Sequence, residues 1–354
     1  YVIQPLPVTD FAVTLDPDRQ SARLSWRPVT DPLEPTATPQ RYIVYTRIGS
    51  MDFDNGTIVS TTACDIPLQP GLVYSFKVAA LNRGGESFPS EVLSAGVVPE
   101  SRGTALVVNA FTRLEGPQSI DTDSLQGFDL NTDPGVQYGK FAGFSGRQLH
   151  FGKENAGRET DDGLGVSSDE LAGHIIMGNT FDYAPVHGKA ILDAGHSFCS
   201  ISERAFMQKF TKAEDILSEY PFLDIYYGVQ KQFNSTTAHL VDRYIDMGGR
   251  AIISGANLGG YSVSDRTLQT VSGCGMTFDI WREMNPESYP VPAVSVVEPT
   301  DNAFAILQYS NGYSAAIASD RQKRYIKLGF PLESMKDHTK LNQLITAFMA
   351  FLRK

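Results

Sequence analysis

The sequence has 354 residues, a formal net charge of -10, 42% hydrophobic residues and 20% charged residues. That length holds two or three domains at roughly 100–200 residues each, and the composition is that of a globular chain. The acidic balance without a basic cluster excludes a phosphate-backbone footprint, so no nucleic acid partner is expected, and no apolar run reaches the ~18 residues that a membrane-spanning helix needs.

The chain opens on Tyr1 rather than Met, as expected of a processed or trimmed chain. Cys64, Cys199 and Cys274 are too widely spaced for a disulfide framework or a paired zinc site. They are expected as core filler, with a Cys199 to Cys274 bridge as the alternative.

From residue 8 to 99 short period-2 apolar runs alternate with turn residues: "SARLSW", "RYIVYTRI", "CDIPL" and "VYSFKVAALN". This pattern predicts an all-β sandwich. Cys64, Ile66 and Leu68 share one strand face, as do Tyr74, Phe76 and Val78. The stretch "LQPGLVY" ending at Tyr74, followed by "SFKVAALNRGGESFPSE", resembles a fibronectin type III domain, with Trp26 on an early strand and Tyr74 at the tyrosine-corner position. The resemblance implies an immunoglobulin-like sandwich over residues 1–100, a spacing or adhesion role, and an extracellular setting.

After "VVPESRGT" the pattern changes. "ALVVNAFTRL" reads as a strand, "APVHGKAILDAG" as a helix ending at Gly195, "HSFCSIS" as a strand, and Ser202-Glu203 as the opening of a helix. "FLDIYYG", the helix "TTAHLVDRYIDMGG" and the strand "RAIISGA" follow, then "AFAILQY", "YSAAIAS" and "RYIKLGFP". A closing helix carries Leu341, Leu344, Ile345, Phe348, Phe351 and Leu352 on its apolar face. Alternating strands and helices predict a mostly parallel sheet covered on both faces. "GGRAIISGAN" and "LGFPLES" resemble the flavodoxin-like, three-layer α/β architecture of class I glutamine amidotransferases, here over residues 101–354 with an insertion at 115–184. "GNTFDYAPVHGKAI", "AGHSFCSISERAF" and "IKLGFPLESM" resemble secreted bacterial proteins labelled xanthan lyase or N-acetylmuramoyl-L-alanine amidase. That resemblance implies a place at the cell surface or in the periplasm, and polysaccharide or peptidoglycan as the partner.

In an open α/β sheet, ligands bind beyond the carboxyl ends of the strands. Those ends select Thr112-Arg113, Ser202-Glu203, Tyr226-Tyr227, Asn257 and Glu333, and the insertion adds Tyr183. A connection as long as 115–184 in a compact domain is expected to be a functional cover. Asp182 and His187 suit a general base and its orienting carboxylate. They equally suit a structural role, with Asp182 capping the coming helix and His187 bonded to backbone.

Three further groups carry less. His196 and Cys199 lie three apart on a strand and face opposite sides, so they form no nucleophile and base. His150, Asp161, Asp162 and His174 lack the acidic spacing of a calcium loop, so neither a metal nor another cofactor is expected. The aromatics Tyr138, Phe141, Phe144, Phe151, Phe181, Tyr183, Tyr261, Trp281 and Tyr289 suit sugar rings or satellite cores. At Gly255-Ala256-Asn257-Leu258-Gly259, Asn257 stands where a hydrolase elbow carries its nucleophile. Covalent thioester chemistry is therefore not expected. The sequence leaves two expectations: a hydrolase activating water through Asp182, His187 and Glu333, with Arg113, Tyr183, Ser202, Tyr227 and Asn257 on the substrate, or a non-catalytic carbohydrate-binding or adhesion module.

Overall fold

The computed structural model describes residues 1–354 apart from 17, 19, 112–118, 129–181, 231–232, 265–269, 283–288, 290, 292, 301 and 321–322. The chain forms two compact units, one of residues 1–111, 182–280 and 293–354, the other of residues 112–181 and 281–292.

The first unit begins with β1 (Thr9–Leu15), β2 (Ser21–Arg27), β3 (Arg41–Ile48), β4 (Thr57–Val59), β5 (Ala63–Pro67), β6 (Val73–Asn82), β7 (Gly85–Glu86) and β8 (Leu93–Gly96). β1, β2 and β5 pair antiparallel in one layer. β4, β3, β6 and β8 form the other, with β7 on β6. The period-2 pattern puts Leu24, Trp26, Tyr42, Val44, Phe76 and Val78 between the layers, all buried. Trp26 meets the Tyr42 ring edge-on at 5.5 Å. The Tyr74 hydroxyl accepts from the Gln69 backbone N–H at 3.3 Å, closing the corner that the sequence predicts.

β9 (Ala105–Asn109) follows in the same unit. The second unit holds β10 (Ser119–Asp121) and β11 (Gln126–Phe128), an antiparallel pair. The first unit then resumes with α1 (Ala184–Asp193), β12 (Phe198–Ser202), α2 (Glu203–Lys209), α3 (Ala213–Glu219), β13 (Phe222–Tyr226), α4 (Ser235–Asp246) and β14 (Arg250–Ser254). It continues through β15 (Tyr261–Val263), β16 (Thr270–Gly273), β17 (Met276–Asp279), β18 (Val294–Val296), β19 (Ala303–Tyr309), β20 (Ser314–Asp320), β21 (Arg324–Leu328) and α5 (His338–Arg353).

β12, β9, β13, β14 and β21 lie side by side in that order, all parallel. β20, β19, β16 and β17 extend the sheet antiparallel beyond β21, so the whole is a mixed sheet with helices. β15 and β18 form a separate pair. The parallel strands are near-continuous apolar runs because both faces are covered. α1 packs with α5, and α4 with α2 and α3. Leu106, Val108, Cys199, Ile201, Leu223 and Ile225 share a core with residues of α2, α3 and α4. The alternate residues, Val107, Asn109, Phe198, Asp224 and Tyr226, therefore face α1 and α5.

Helix α1 sits close to the sheet because residue 188 is glycine: a Cβ there would overlap the Phe198 ring. The helix closes at Gly195, whose φ of 85° is the left-handed conformation of a helix terminus.

The sandwich and the α/β part share backbone pairing at β12. Ala12 of β1 pairs with Ile201, and Gly96 of β8 with Phe198. The Ser200 hydroxyl accepts from the Ser94 N–H at 2.6 Å and donates to its carbonyl at 2.8 Å. Asp10, held at φ 56°, accepts from Gln208 of α2 at 2.9 Å and pairs with Arg204 at 3.2 Å. One buried core runs from Val8 and Phe11 of the sandwich to Tyr244 and Ala251.

Candidate functional site

The carboxyl ends of the parallel strands form a polar row. Asn109, Tyr226 and Ser254 are register partners across β9, β13 and β14. At a strand spacing of about 4.8 Å they span roughly 10 Å on one face of the sheet. Asp224 lies two residues before Tyr226 and so points the same way. All four are buried. Among the described residues, Asn109 Nδ2, the Tyr226 hydroxyl, Ser254 Oγ and Asp224 Oδ1 have no hydrogen-bond partner.

An unsatisfied buried polar atom costs about 1–3 kcal/mol, so four in one place are not what packing alone selects. Asn109 spends only its oxygen locally, accepting from the Phe111 N–H at 3.0 Å. Burial, followed by the charges of Glu333, Glu91, Asp224 and Asp182, drives the Tyr226 phenol well above its ordinary pKa. Tyr226 thus remains a neutral O–H donor.

His187 of α1 stands over this row. Its ring stacks on Tyr226 with centroids 4.7 Å apart. Nδ1 lies 2.8 Å from Asp224 Oδ2 and Nε2 lies 2.9 Å from Glu333 Oε2. Glu333 sits in a single 3-10 turn, Leu332–Ser334, which Pro331 introduces directly after β21. Burial alone would lower the His187 pKa, but the two carboxylates outweigh it and lift the ring to about 10. His187 is therefore an imidazolium at neutral pH, with no exposed surface and both nitrogens engaged.

The pairing of Asp182 with His187 is not formed. Asp182 instead accepts a bidentate pair from Arg47 of β3, 2.7 Å at each oxygen. Nor does it cap the helix: the N-cap is Tyr183, with Pro185 in the first turn. The physical reason is reach. Asp182 precedes α1 on the sandwich side, whereas the His187 ring points at the sheet.

The other predicted site residues within the described part of the chain each have a definite place. Tyr183 is buried and stacks on Phe111 at 6.3 Å. Ser202 caps α2 by accepting from the Ala205 N–H at 3.3 Å, and hydrogen bonds the buried Glu91 of the sandwich. Tyr227 turns to the opposite face, edge-on to Phe233 at 4.9 Å. Asn257 donates to the Val229 and Gln230 carbonyls at 3.2 and 3.1 Å, tying down the loop after β13 rather than offering its amide to a ligand. Arg113, with His150, Asp161, Asp162 and His174, lies outside the described residues, as do most of the insertion and its aromatics.

Cys199 is buried, and its thiol is pushed up to about 11, first by burial. His196 bonds the Gly103 carbonyl at 3.1 Å, away from it. The three cysteines are free. Among the described residues no group of three or more His, Cys, Asp or Glu side chains is arranged to hold a metal ion, and no helix is long and apolar enough to cross a membrane.

Sequence reasoning selected Tyr226 with Tyr227 at the end of its strand but missed Asp224, Asn109 and Ser254. One signal was present: Asp224 is the acidic residue inside the continuous apolar strand Phe222–Tyr226, and a carboxylate so placed needs a partner.

Residues 6–96 match the fibronectin type III domain family. No match is found among the curated proteins. Among solved structures, the chain is similar to the twitchin kinase region from C. elegans at 21% identity, covering 27% of this chain and 17% of that one, with a TM-score of 0.24. It is similar to the fourth fibronectin type III domain of a human protein at 24% identity, covering 27% and 80%, with a TM-score of 0.24. A myokine matches at 18% identity over 27% and 99%, with a TM-score of 0.23. Sequence match, strand pairing and the tyrosine corner agree that residues 6–96 form a fibronectin type III domain.

Proposed function

We propose that this chain is a binding module for a polyhydroxylated polymer, polysaccharide or peptidoglycan, outside the cell, and not a hydrolase that uses His187 as its base. One observation carries the reading: His187 is fully buried with both ring nitrogens on carboxylates. A general base must reach the proton it removes, and an imidazolium with a pKa of about 10 has no vacant nitrogen near pH 7. His187 instead positions Asp224 and Tyr226 in the polar row. The row holds an amide N–H, a phenol, a hydroxyl and one carboxylate oxygen, a mixture that suits sugar hydroxyls, which both donate and accept. Because all four are buried, polymer binding requires this end of the sheet to open, whereas His187 stays committed to its two carboxylates.

The order β12-β9-β13-β14-β21, the second, first, third, fourth and fifth parallel strands along the chain, supports a flavodoxin-like reading of the α/β part. With Asn257 in the elbow, the glutamine amidotransferase-like frame lacks its nucleophile. The resemblance to secreted proteins labelled xanthan lyase or N-acetylmuramoyl-L-alanine amidase supports the polymer class, and the fibronectin type III domain supports the extracellular setting. A hydrolase that activates water is the second reading, favoured by the one Asp224 oxygen without a partner.

The test is to incubate the protein with insoluble peptidoglycan and a panel of acidic and neutral polysaccharides, following both retention on the polymer and soluble fragments by mass spectrometry. Retention without fragments, weakened by Asn109→Leu and Tyr226→Phe, is the expected result. Fragments released by the parent and not by Asp224→Asn would replace the binding reading with the hydrolytic one. Neither retention nor fragments would end both.

A further inference from the structure

The opposite face of the sheet carries a second feature, independent of the polar row. After β14 the chain runs into antiparallel strands instead of crossing back through another helix, and α5, which follows β21, packs with α1 on the far side. The face of β21 and β20 beside α4 is therefore a groove of about 700 Å³, with Tyr227, Val241, Ile253, Leu258 and Tyr325 among its walls.

Lys327 projects into this groove from the penultimate position of β21, between its cross-strand neighbours Ile253 and Ile317. Among the described residues its ammonium makes no hydrogen bond and no ion pair, although the groove half-buries it. Burial holds its pKa below the ordinary lysine value, with the charge of Asp242 acting in the other direction. The neighbouring Lys323 is committed to Asp246 at 2.6 Å. One cation without a close partner, set among aromatic and aliphatic walls, asks for one negative charge on an apolar body. Asp242, exposed on the rim, disfavours ligands of higher negative charge, while Asp246 is compensated by Lys323.

We infer that this groove is a binding site for a small organic monocarboxylate with an apolar or aromatic body, its carboxylate on Lys327 and its body against Tyr227, Ile253, Leu258 and Tyr325. A desolvated ammonium-carboxylate hydrogen bond is stronger than a neutral one, so the charge discriminates between otherwise equal ligands.

The probes are 3-phenylpropionate, its primary amide and 3-phenylpropylamine, titrated against the full chain by saturation-transfer NMR. The carboxylate is expected to bind at least about tenfold more tightly than the amide, which corresponds to about 1.4 kcal/mol, and the amine not at all. Lys327→Met should remove that preference and Lys327→Arg should retain it. Ala238→Trp, at a half-buried position of α4 on the groove wall, should abolish binding without touching a charge. A second readout locates the site: 3-phenylpropionate should slow acetylation of Lys327 by an N-hydroxysuccinimide ester several-fold and leave Lys354 unchanged. Equal affinity for the three probes, a carboxylate preference that survives Lys327→Met, or no binding by any of them would overturn the proposal. Failure here leaves the polar row untouched, because the two sites lie on opposite faces of the sheet.

Discussion

His187 ties three elements together through two carboxylates, 2.8 and 2.9 Å from its nitrogens. Removing one member of a buried charged group leaves the others uncompensated, so His187→Ala should cost about 3–5 kcal/mol in urea unfolding. The same geometry sets a pH window. The folded-state pKa of about 10 lies above the ordinary 6.5, so the contribution is complete below pH 6.5 and is lost as pH rises through about 10. The urea midpoint of the parent should fall steadily across that window. In His187→Gln the fall should be much smaller; an equal fall in both proteins would place the titrating group elsewhere.

At the scale of the element, α1 depends on a residue that helices ordinarily avoid. On an exposed helix, glycine to alanine gains up to ~1 kcal/mol. Gly188→Ala should instead destabilise by about 1–3 kcal/mol, because the new methyl meets the Phe198 ring and pushes α1 off the sheet. The affected contacts include His187 on Tyr226, so polymer retention should weaken together with stability. Asn234→Ala is the contrasting case. It removes the acceptor for the Thr236 and Thr237 N–H groups at the start of α4, and should cost about 1 kcal/mol while leaving retention intact. Denaturant midpoints read beside retention on the polymer separate the two.

For the whole molecule, the sandwich and the α/β part share a sheet edge, a core and the Arg47 to Asp182 pair. Residues 1–111 and 182–280 should accordingly unfold in one transition, seen alike by far- and near-ultraviolet circular dichroism. Two separated transitions would show that the shared edge does not couple them. Glu91 sits at this junction, buried, with its pKa raised to about 7 first by desolvation. A carboxyl whose folded pKa exceeds the unfolded 4.5 stabilises the fold below pH 4.5, and that contribution is lost as pH rises through about 7. Between those limits the melting temperature of the parent should decline more steeply than that of Glu91→Gln, and parallel profiles would refute the assignment.

The alternation in "SARLSW" and "VYSFKVAALN" was enough for the sandwich, because one strand face is buried and the other wet, a local property that shows in every second residue. The runs "ALVVN" and "FLDIY" were enough for strands covered on both sides. His187 and Glu333 were visible as polar residues near strand and helix ends, but their connection was not. The carboxylate near in sequence, Asp182, went to Arg47 of a distant strand, while His187 took Asp224 and Glu333 from elements far along the chain. Nor could any stretch show that Asn257 is spent on the loop carbonyls at 229 and 230, or that Lys327 faces a groove left without a helix. Periodicity by itself determined the elements, because burial of a face is repeated locally at each turn or pleat. Which charge meets which, and which strand end stays unsatisfied, was decided only by tertiary structure, because those contacts depend on strand order and register between segments that sequence spacing does not relate.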